Sequence, residues 1–365
     1  MRRDRVAKEK ARAAAEQPVV PVKKTVRPAN LPVAVITVTV TPDEDGMRVD
    51  RFLEHRFPGL SFSHIQRITR KGELRVNGKR VETKDRLEAG QSVRIPPLKI
   101  DTPEGEAPKR APKAEAADAA AIRAMILYED ADMMVLDKPF GLAVQGGSGT
   151  VRHLDGMLEA LRDEAGQKPR LVHRLDKDTS GCLVVAKTRF AASALAKSFR
   201  ARDTRKIYWS LVAGVPRVKQ GRVSTYLAKG ENEEGDAMMQ VAKHGDEGAS
   251  HAVTYYAVVE TAAQKLAWLS MKPVTGRTHQ LRAHAAHIGH PIVGDPKYFQ
   301  IENWELPGGL QNRLHLMARR IVIPHPRTGK PVDVTAPLPQ HMKQSFNLLG
   351  FDTKRYDPIS DAPEE

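Results

Sequence analysis

Cysteine occurs once in the 365 residues, at Cys182, so no disulfide can form within the chain and a reducing compartment fits. The residues after it, LVVA, mark it as a small core side chain rather than a nucleophile. No apolar run approaches the ~20 residues that a bilayer-crossing helix needs. The opening MRRDRVAKEKARAAAEQ is basic but lacks the apolar stretch of a secretory signal; a solvated basic arm fits it better than an organelle transit peptide. No repeat of fixed period is present. The glycine-rich GLAVQGGSGT has neither the GxGxxG spacing of a dinucleotide site nor the Lys-Ser/Thr ending of a phosphate loop. His279, His284, His287 and His290 cluster without HExxH spacing and without an acid among them, so no metal site is expected.

What the chain has in excess is positive charge. Lys and Arg total 58 against 44 Asp and Glu, a formal net charge of +14, which favours an anionic partner, either nucleic acid or an acidic membrane surface. Residues 1–34 have no sustained apolar period and are expected to form a disordered basic arm. A second biased stretch, DTPEGEAPKRAPKAEAADAAA over residues 101–121, reads as a flexible linker, part extended and part weakly helical. These two stretches bracket a small module at 35–100. Beyond them a large domain is expected over 122–345 and a C-terminal tail over 346–365.

In the small module, RVDRFLEHRF sets Val49, Phe52, Leu53 and Phe57 at helical spacing. SFSHIQRITRKG offers a Ser cap, inward Ile65 and Ile68, and outward Arg67, Arg70 and Lys71. LRVNGKRV then signals a hairpin around Asn77-Gly78, and QSVRIP a strand. Two helices and a small sheet with one basic face suit a phosphate backbone, although charge alone also fits a merely solvated helix face. The order of these elements over residues 46–97 resembles the S4 RNA-binding domain, which implies binding of structured RNA and does not by itself imply catalysis.

The large domain alternates strands and helices. ILYEDADMMVLDKP, GCLVVAKT, KIYWSLVAG, HAVTYYAVVE and KLAWLSMKPV read as strands. RFAASALAKSFRAR reads as an amphipathic helix with Phe190, Leu195 and Phe199 available for the core, and GRTHQLRAHAAHIG as a helix ended by Gly289. Adjacent strands that outnumber helices predict an α+β fold with a mixed, largely antiparallel central sheet.

Three segments carry chemistry. LVHRLDKDTSGCLVVAKT leads from an apolar pair into His173, Arg174 and Asp176, then through a polar turn into a strand. Functional groups concentrate on such loops, while Asp176 or Asp178 would equally serve to close an Asx turn. KPVTGRTHQLRAHAAHIGHPIVGDPKY sets Arg277 and Arg282 around His279. Arg282 is the candidate to grip a loop carboxylate with two donors; surface phosphate contacts are the alternative. RDTRKIYWSLVAG places Tyr208 on a strand, where packing in the core is the commoner fate of a lone Tyr.

Together LDKPFGLAVQGG, VHRLDKDTSG, RKIYWSLVAG and KPVTGRTHQLRAHAAHIGHPIVGDPKY, followed by RLHLMARRIVIPHPRTGKPVDVTAPLP, resemble in order and content the pseudouridine synthases of the RluA/RluC/RluD type, over residues 122–340. The resemblance implies that Asp176 is the catalytic aspartate and Arg282 its basic partner. It implies that Tyr208 packs on the target base and is a candidate proton acceptor, and that Arg174 occupies the space near the extruded nucleotide. It further implies no cofactor, a substrate in RNA and, with the S4-like module, large-subunit (23S) ribosomal RNA. His173, Arg277, His279, Arg67, Arg70 and Lys71 are expected RNA contacts. The expected protein is a cytoplasmic monomer with no membrane or nucleotide partner. The alternatives are the same chemistry on transfer RNA or another ribosomal site, a metal-dependent nuclease, and a non-catalytic ribosomal RNA-binding or assembly protein. Uridine isomerisation gains and loses no atom, so neither ATP nor a redox group is needed. The carboxylate has three routes open to it: attack on the sugar, attack on the base, or removal of a sugar proton.

Overall fold

The computed structural model describes residues 32, 34–41, 44–57, 60–98, 112–146, 152–163, 167–231 and 237–360. Most of the expected basic arm and residues 101–111 of the expected linker lie outside these. The chain divides into two compact units, Met1–Lys109 and Arg110–Glu365.

In the first unit four strands, β1 (Ile36–Thr39), β2 (Arg75–Val76), β3 (Lys79–Arg80) and β4 (Ser92–Ile95), pair in the order β1-β4-β2-β3. The helices Val49–Arg56 and Phe62–Arg70 bury Phe52, Leu53, Ile65 and Ile68 against it. Ser61 caps the second helix by accepting from His64 N at 3.3 Å. Asn77 and Gly78 both adopt positive φ (48° and 75°), as the β2–β3 turn requires. The strand β1 was not read from sequence: ITVT alternates but lies beside the biased arm. Arg67, Arg70 and Lys71 are exposed on the second helix and just past its end.

The second unit is built on a sheet of eleven strands among the described residues. They are β5 (Ile126–Glu129), β6 (Met133–Lys138), β7 (Arg170–Leu171), β8 (Ser180–Ala186), β9 (Arg205–Ala213), β10 (Gln220–Glu231), β11 (Ala237–Ala242), β12 (Ser250–Ala262), β13 (Leu266–Pro273), β14 (Leu316–Pro324) and β15 (Pro331–Thr335). The main path runs β11-β10-β12-β13-β9-β14-β8-β6-β5, with β15 on β14 and β7 on β8. Among these pairs only β14–β8 is parallel, so the sheet is mixed and largely antiparallel, as the α+β reading requires. The central strands are covered on both faces, which is why GCLVVA and LAWLSM are near-continuous apolar runs rather than alternations. β8 touches β14 at Gly181, where a Cβ would stand 2.2 Å from the Ala318 carbonyl oxygen and φ is +100°. Only glycine fits there, five residues beyond Asp176.

Three expectations need correction. The second half of the expected flexible linker is the expected helical part, but it runs on to residue 124 as the helix Pro112–Ala124 and is packed, with Ala119 and Ile122 buried. The expected tail packs on the domain instead: the helix Gln340–Leu349 sends Phe346 into the core, Phe351 follows it, and Asp357 accepts from the Trp209 indole at 2.9 Å. Phe190, expected in the core, is 49 % exposed; the Arg327 guanidinium covers its ring instead.

Candidate active site

The loop between β7 and β8 carries Asp176. Leu175, 6 % exposed, pins the loop to the core, and Thr179 N donates to the Asp176 carbonyl at 3.1 Å, closing a main-chain turn rather than an Asx turn made by the Asp176 side chain. Behind it lies Lys138, fully buried at the end of β6. Its ammonium donates to the carbonyls of Pro139, Leu142 and Lys177 at 3.0, 2.8 and 2.8 Å, so it ties the β6 turn to the Asp176 loop. Sequence reading passed over Lys138, because nothing in LDKP reveals that the side chain turns inward.

Burial pushes the Lys138 ammonium down to about 8, against the pull of Asp178 and Asp176. Its folded-state pKa is therefore depressed, and between about 8 and 10.5 the unfolded chain binds more protons than the folded one. The cost of burying the charge is fully present below pH 8 and relieved as pH rises through that window. Urea unfolding of wild type and Lys138→Met at pH 7.5 and 9.5 tests this. The stability of wild type relative to the variant should rise by about 2 kcal/mol between the two pH values. An unchanged difference would mean that Lys138 is not a buried ammonium.

The second part of the site is the helix Gln280–His287, only eight residues long and buried almost all round. Its polar side chains are there as anchors. The Gln280 amide donates to Val253 O and Thr254 Oγ1 and its oxygen accepts from Thr275 Oγ1 and Arg277 N. His284 sits between Thr254 and Thr225 at 2.9 and 3.0 Å, and burial pushes it down to about 4. His290 bonds the Ala213 carbonyl. His284 and His290 thus take separate partners, and among the described residues no group of three or more His, Cys, Asp or Glu is arranged to hold a metal ion. His279 enters the helix from a left-handed conformation (φ 50°), a strained position for a residue with a Cβ and one that such sites often hold.

Arg282 projects from this helix toward Asp176, and its pairing differs from the expected grip. Its two-donor hold is on Asp295, Nε to Oδ2 at 2.7 Å and Nη2 to Oδ1 at 2.6 Å, while the remaining Nη1 stands 3.9 Å from Asp176 Oδ2. Asp295 also accepts from the backbone of Lys297 and Tyr298, and the Arg282 guanidinium lies 5.1 Å over the Tyr298 ring. Burial opposes the charge of Arg282, and the Asp295 pair outweighs it and raises the pKa. His279 approaches Asp176 with Nε2 at 3.8 Å and holds the Tyr298 hydroxyl with Nδ1 at 3.1 Å; burial lowers its pKa and keeps it neutral.

Tyr208, half-buried on β9, completes the wall. Burial and then the charge of Asp176 push its phenol upward, so it is held protonated and offers a ring face and an O–H donor. That disfavours a resting role as proton acceptor. His173 is placed differently from a ligand contact: its Nε2 accepts from Val184 N at 2.8 Å and its ring stacks on Phe199 at 4.4 Å. Burial and Lys206 push it down to about 3, so it is a neutral prop for the loop.

His173, Arg174, Asp176, Tyr208, Arg277, His279 and Arg282 all line one cavity of about 500 Å³. Four stretches of chain far apart in sequence meet there. Six Arg or Lys residues line it, including Arg200, Arg202 and Lys206, which sequence reading left out, against the single acid Asp176. A cavity with one carboxylate among cations recruits a polyanion and presents that carboxylate to it.

The chain belongs to the RNA pseudouridylate synthase family, whose sequence profile matches residues 132–287; it is a pseudouridine synthase that acts on RNA. It is 39 % identical over 320 residues to the ribosomal large subunit pseudouridine synthase C of Escherichia coli strain K12, covering 87 % of this chain and 97 % of that one. The enzyme of that name from Vibrio vulnificus strain CMCP6 is 38 % identical over 314 residues, 86 % of this chain and 96 % of the relative. Among solved structures, Human RNA Pseudouridylate Synthase Domain Containing 4 aligns with a TM-score of 0.55 at 26 % identity, over 66 % of this chain and 98 % of that one. No described helix is long and apolar enough to cross a membrane.

Proposed function

We propose that this enzyme isomerises uridine to pseudouridine in large-subunit ribosomal RNA, with Asp176 as the catalytic carboxylate, acting as a monomer in the cytoplasm. The observation that carries the reading is the meeting of Asp176, Arg282, His279 and Tyr208 in one cation-lined cavity. The target atoms are hidden in stacked RNA, so the nucleotide must turn out of its helix, at a cost of a few kcal/mol. Arg174, exposed at the cavity mouth, fills the vacated space, and Tyr208 stacks on the everted uracil. Asp176 starts the breaking of the glycosidic bond, the base turns, C5 joins the sugar, the C5 proton leaves to a base in the cavity and through it to solvent, and N1 takes up one proton, so that no atom is gained or lost. The exposed Arg67, Arg70 and Lys71 of the S4-like unit add phosphate affinity without sequence choice.

The names of the bacterial relatives favour large-subunit RNA over transfer RNA. The test is tritium release from C5-labelled uridine in unmodified transcripts. Large-subunit RNA should release label with single-site stoichiometry or a small multiple of it, and bulk transfer RNA none. Release from transfer RNA alone would overturn the substrate, and release from neither would overturn the activity of this cavity.

A further inference from the structure

A second cavity of about 510 Å³ lies beside the catalytic one and no step above uses it. Asp178, two residues past Asp176, is on its wall, and two residues span at most about 7 Å. Asp295, whose carboxylate holds Arg282, is on the same wall, so the cavities share a partition. Phe299 and Trp304 face each other inside at 5.4 Å and 57°, and the exposed Arg313 crosses the Phe140 ring at 5.5 Å. The partition is rigid: Gly294 (φ +71°) packs so closely that a Cβ would stand 2.1 Å from the Arg313 carbonyl oxygen. Asp178 makes no hydrogen bond or ion pair among the described residues.

We propose that this cavity is a second base-binding subsite, taking the unpaired nucleobase of a nucleotide next to the target uridine. The inference rests on the reading that the neighbouring cavity takes that uridine. Aromatic rings with a guanidinium at the rim suit a stacked base and its phosphate. A carboxylate without a donor suits the exocyclic amine of adenine or cytosine, which uracil lacks. Continuity with the catalytic cavity makes RNA the occupant, in preference to a second copy of the chain.

Trp304 supplies the readout, because Trp209 and Trp268 are 5 % and 0 % exposed and Trp304 is half-buried. The full chain is titrated with the hexamers rA6, rC6 and rU6 while tryptophan emission is followed. Saturable quenching is expected, about tenfold tighter for rA6 and rC6 than for rU6. It should vanish in Trp304→Phe, which keeps a stacking ring, and the base preference should vanish in Asp178→Ala. Ile301, 37 % exposed on the same wall, gives a variant that leaves the core alone: Ile301→Asp should raise KM for tritium release about tenfold with kcat unchanged. Absence of quenching, quenching that survives in Trp304→Phe, or an unmoved KM overturns the subsite. Emission that shifts on dilution of the chain without RNA overturns it in favour of self-association. Quenching by the hexamers with no tritium release from wild type overturns the catalytic reading and leaves the subsite standing.

Discussion

Asp176→Asn is expected to abolish tritium release, a loss of about 10⁴-fold or more, while RNA binding and folding stay intact. The structure explains why the two effects separate. The nearest side-chain nitrogens to the Asp176 carboxylate, of His279 and Arg282, are at 3.8 and 3.9 Å, so the change to an amide removes no short hydrogen bond. Arg282 stays paired with Asp295, Thr179 N still donates to the residue's carbonyl, and Lys138 still holds the loop. Stability should therefore move by no more than about 0.5 kcal/mol. Nor does the substitution touch the six cations that line the cavity, the proposed source of the phosphate attraction. Label release with parallel filter binding checks this, and turnover within tenfold of wild type would remove Asp176 from the chemistry.

Much of this site was legible before any coordinates because its polar residues are contiguous. VHRLDKDTSG places His173, Arg174 and Asp176 on one loop, and GRTHQLR sets Arg277, His279 and Arg282 within two turns of chain. Local pattern could not show which of these touch the ligand space and which support it. His173 and His284 were indistinguishable from functional histidines until their partners, Val184 N and two threonine hydroxyls, were seen. Asp295 was passed over although it lies thirteen residues after Arg282, since only tertiary folding brings the two together. The strands most easily read were those buried on both faces. β14 escaped because Arg319 and Arg320 interrupt LMARRIVIP, yet the strand tolerates them: Arg319 lies 4.2 Å over Trp209 and Arg320 pairs with Asp333 on β15. The helical tendency at 112–121 was read, but an Ala-rich composition that serves a linker as well as a helix hid its packing, through Ala119 and Ile122.

The hold of Arg282 on Asp295 changes what its removal should do. If Arg282 gripped only the loop carboxylate, as its sequence context suggests, Arg282→Met would leave the fold standing with activity strongly reduced. The Asp295 side chain is fully buried, and losing its guanidinium leaves a carboxylate with only two backbone donors. The single variant should therefore lose about 3–5 kcal/mol of stability together with its turnover. Asp295→Asn in the same chain keeps an oxygen for the Lys297 and Tyr298 amides and removes the stranded charge, so the double variant should regain most of that stability. Its turnover should stay down by about 10²-fold or more, because the cation 3.9 Å from Asp176 is still missing. Denaturant unfolding and label release on the two variants separate the contributions. If turnover returned together with stability in the double variant, Arg282 would be a strut for the Asp295 turn, and Asp176 would need no cation from this helix.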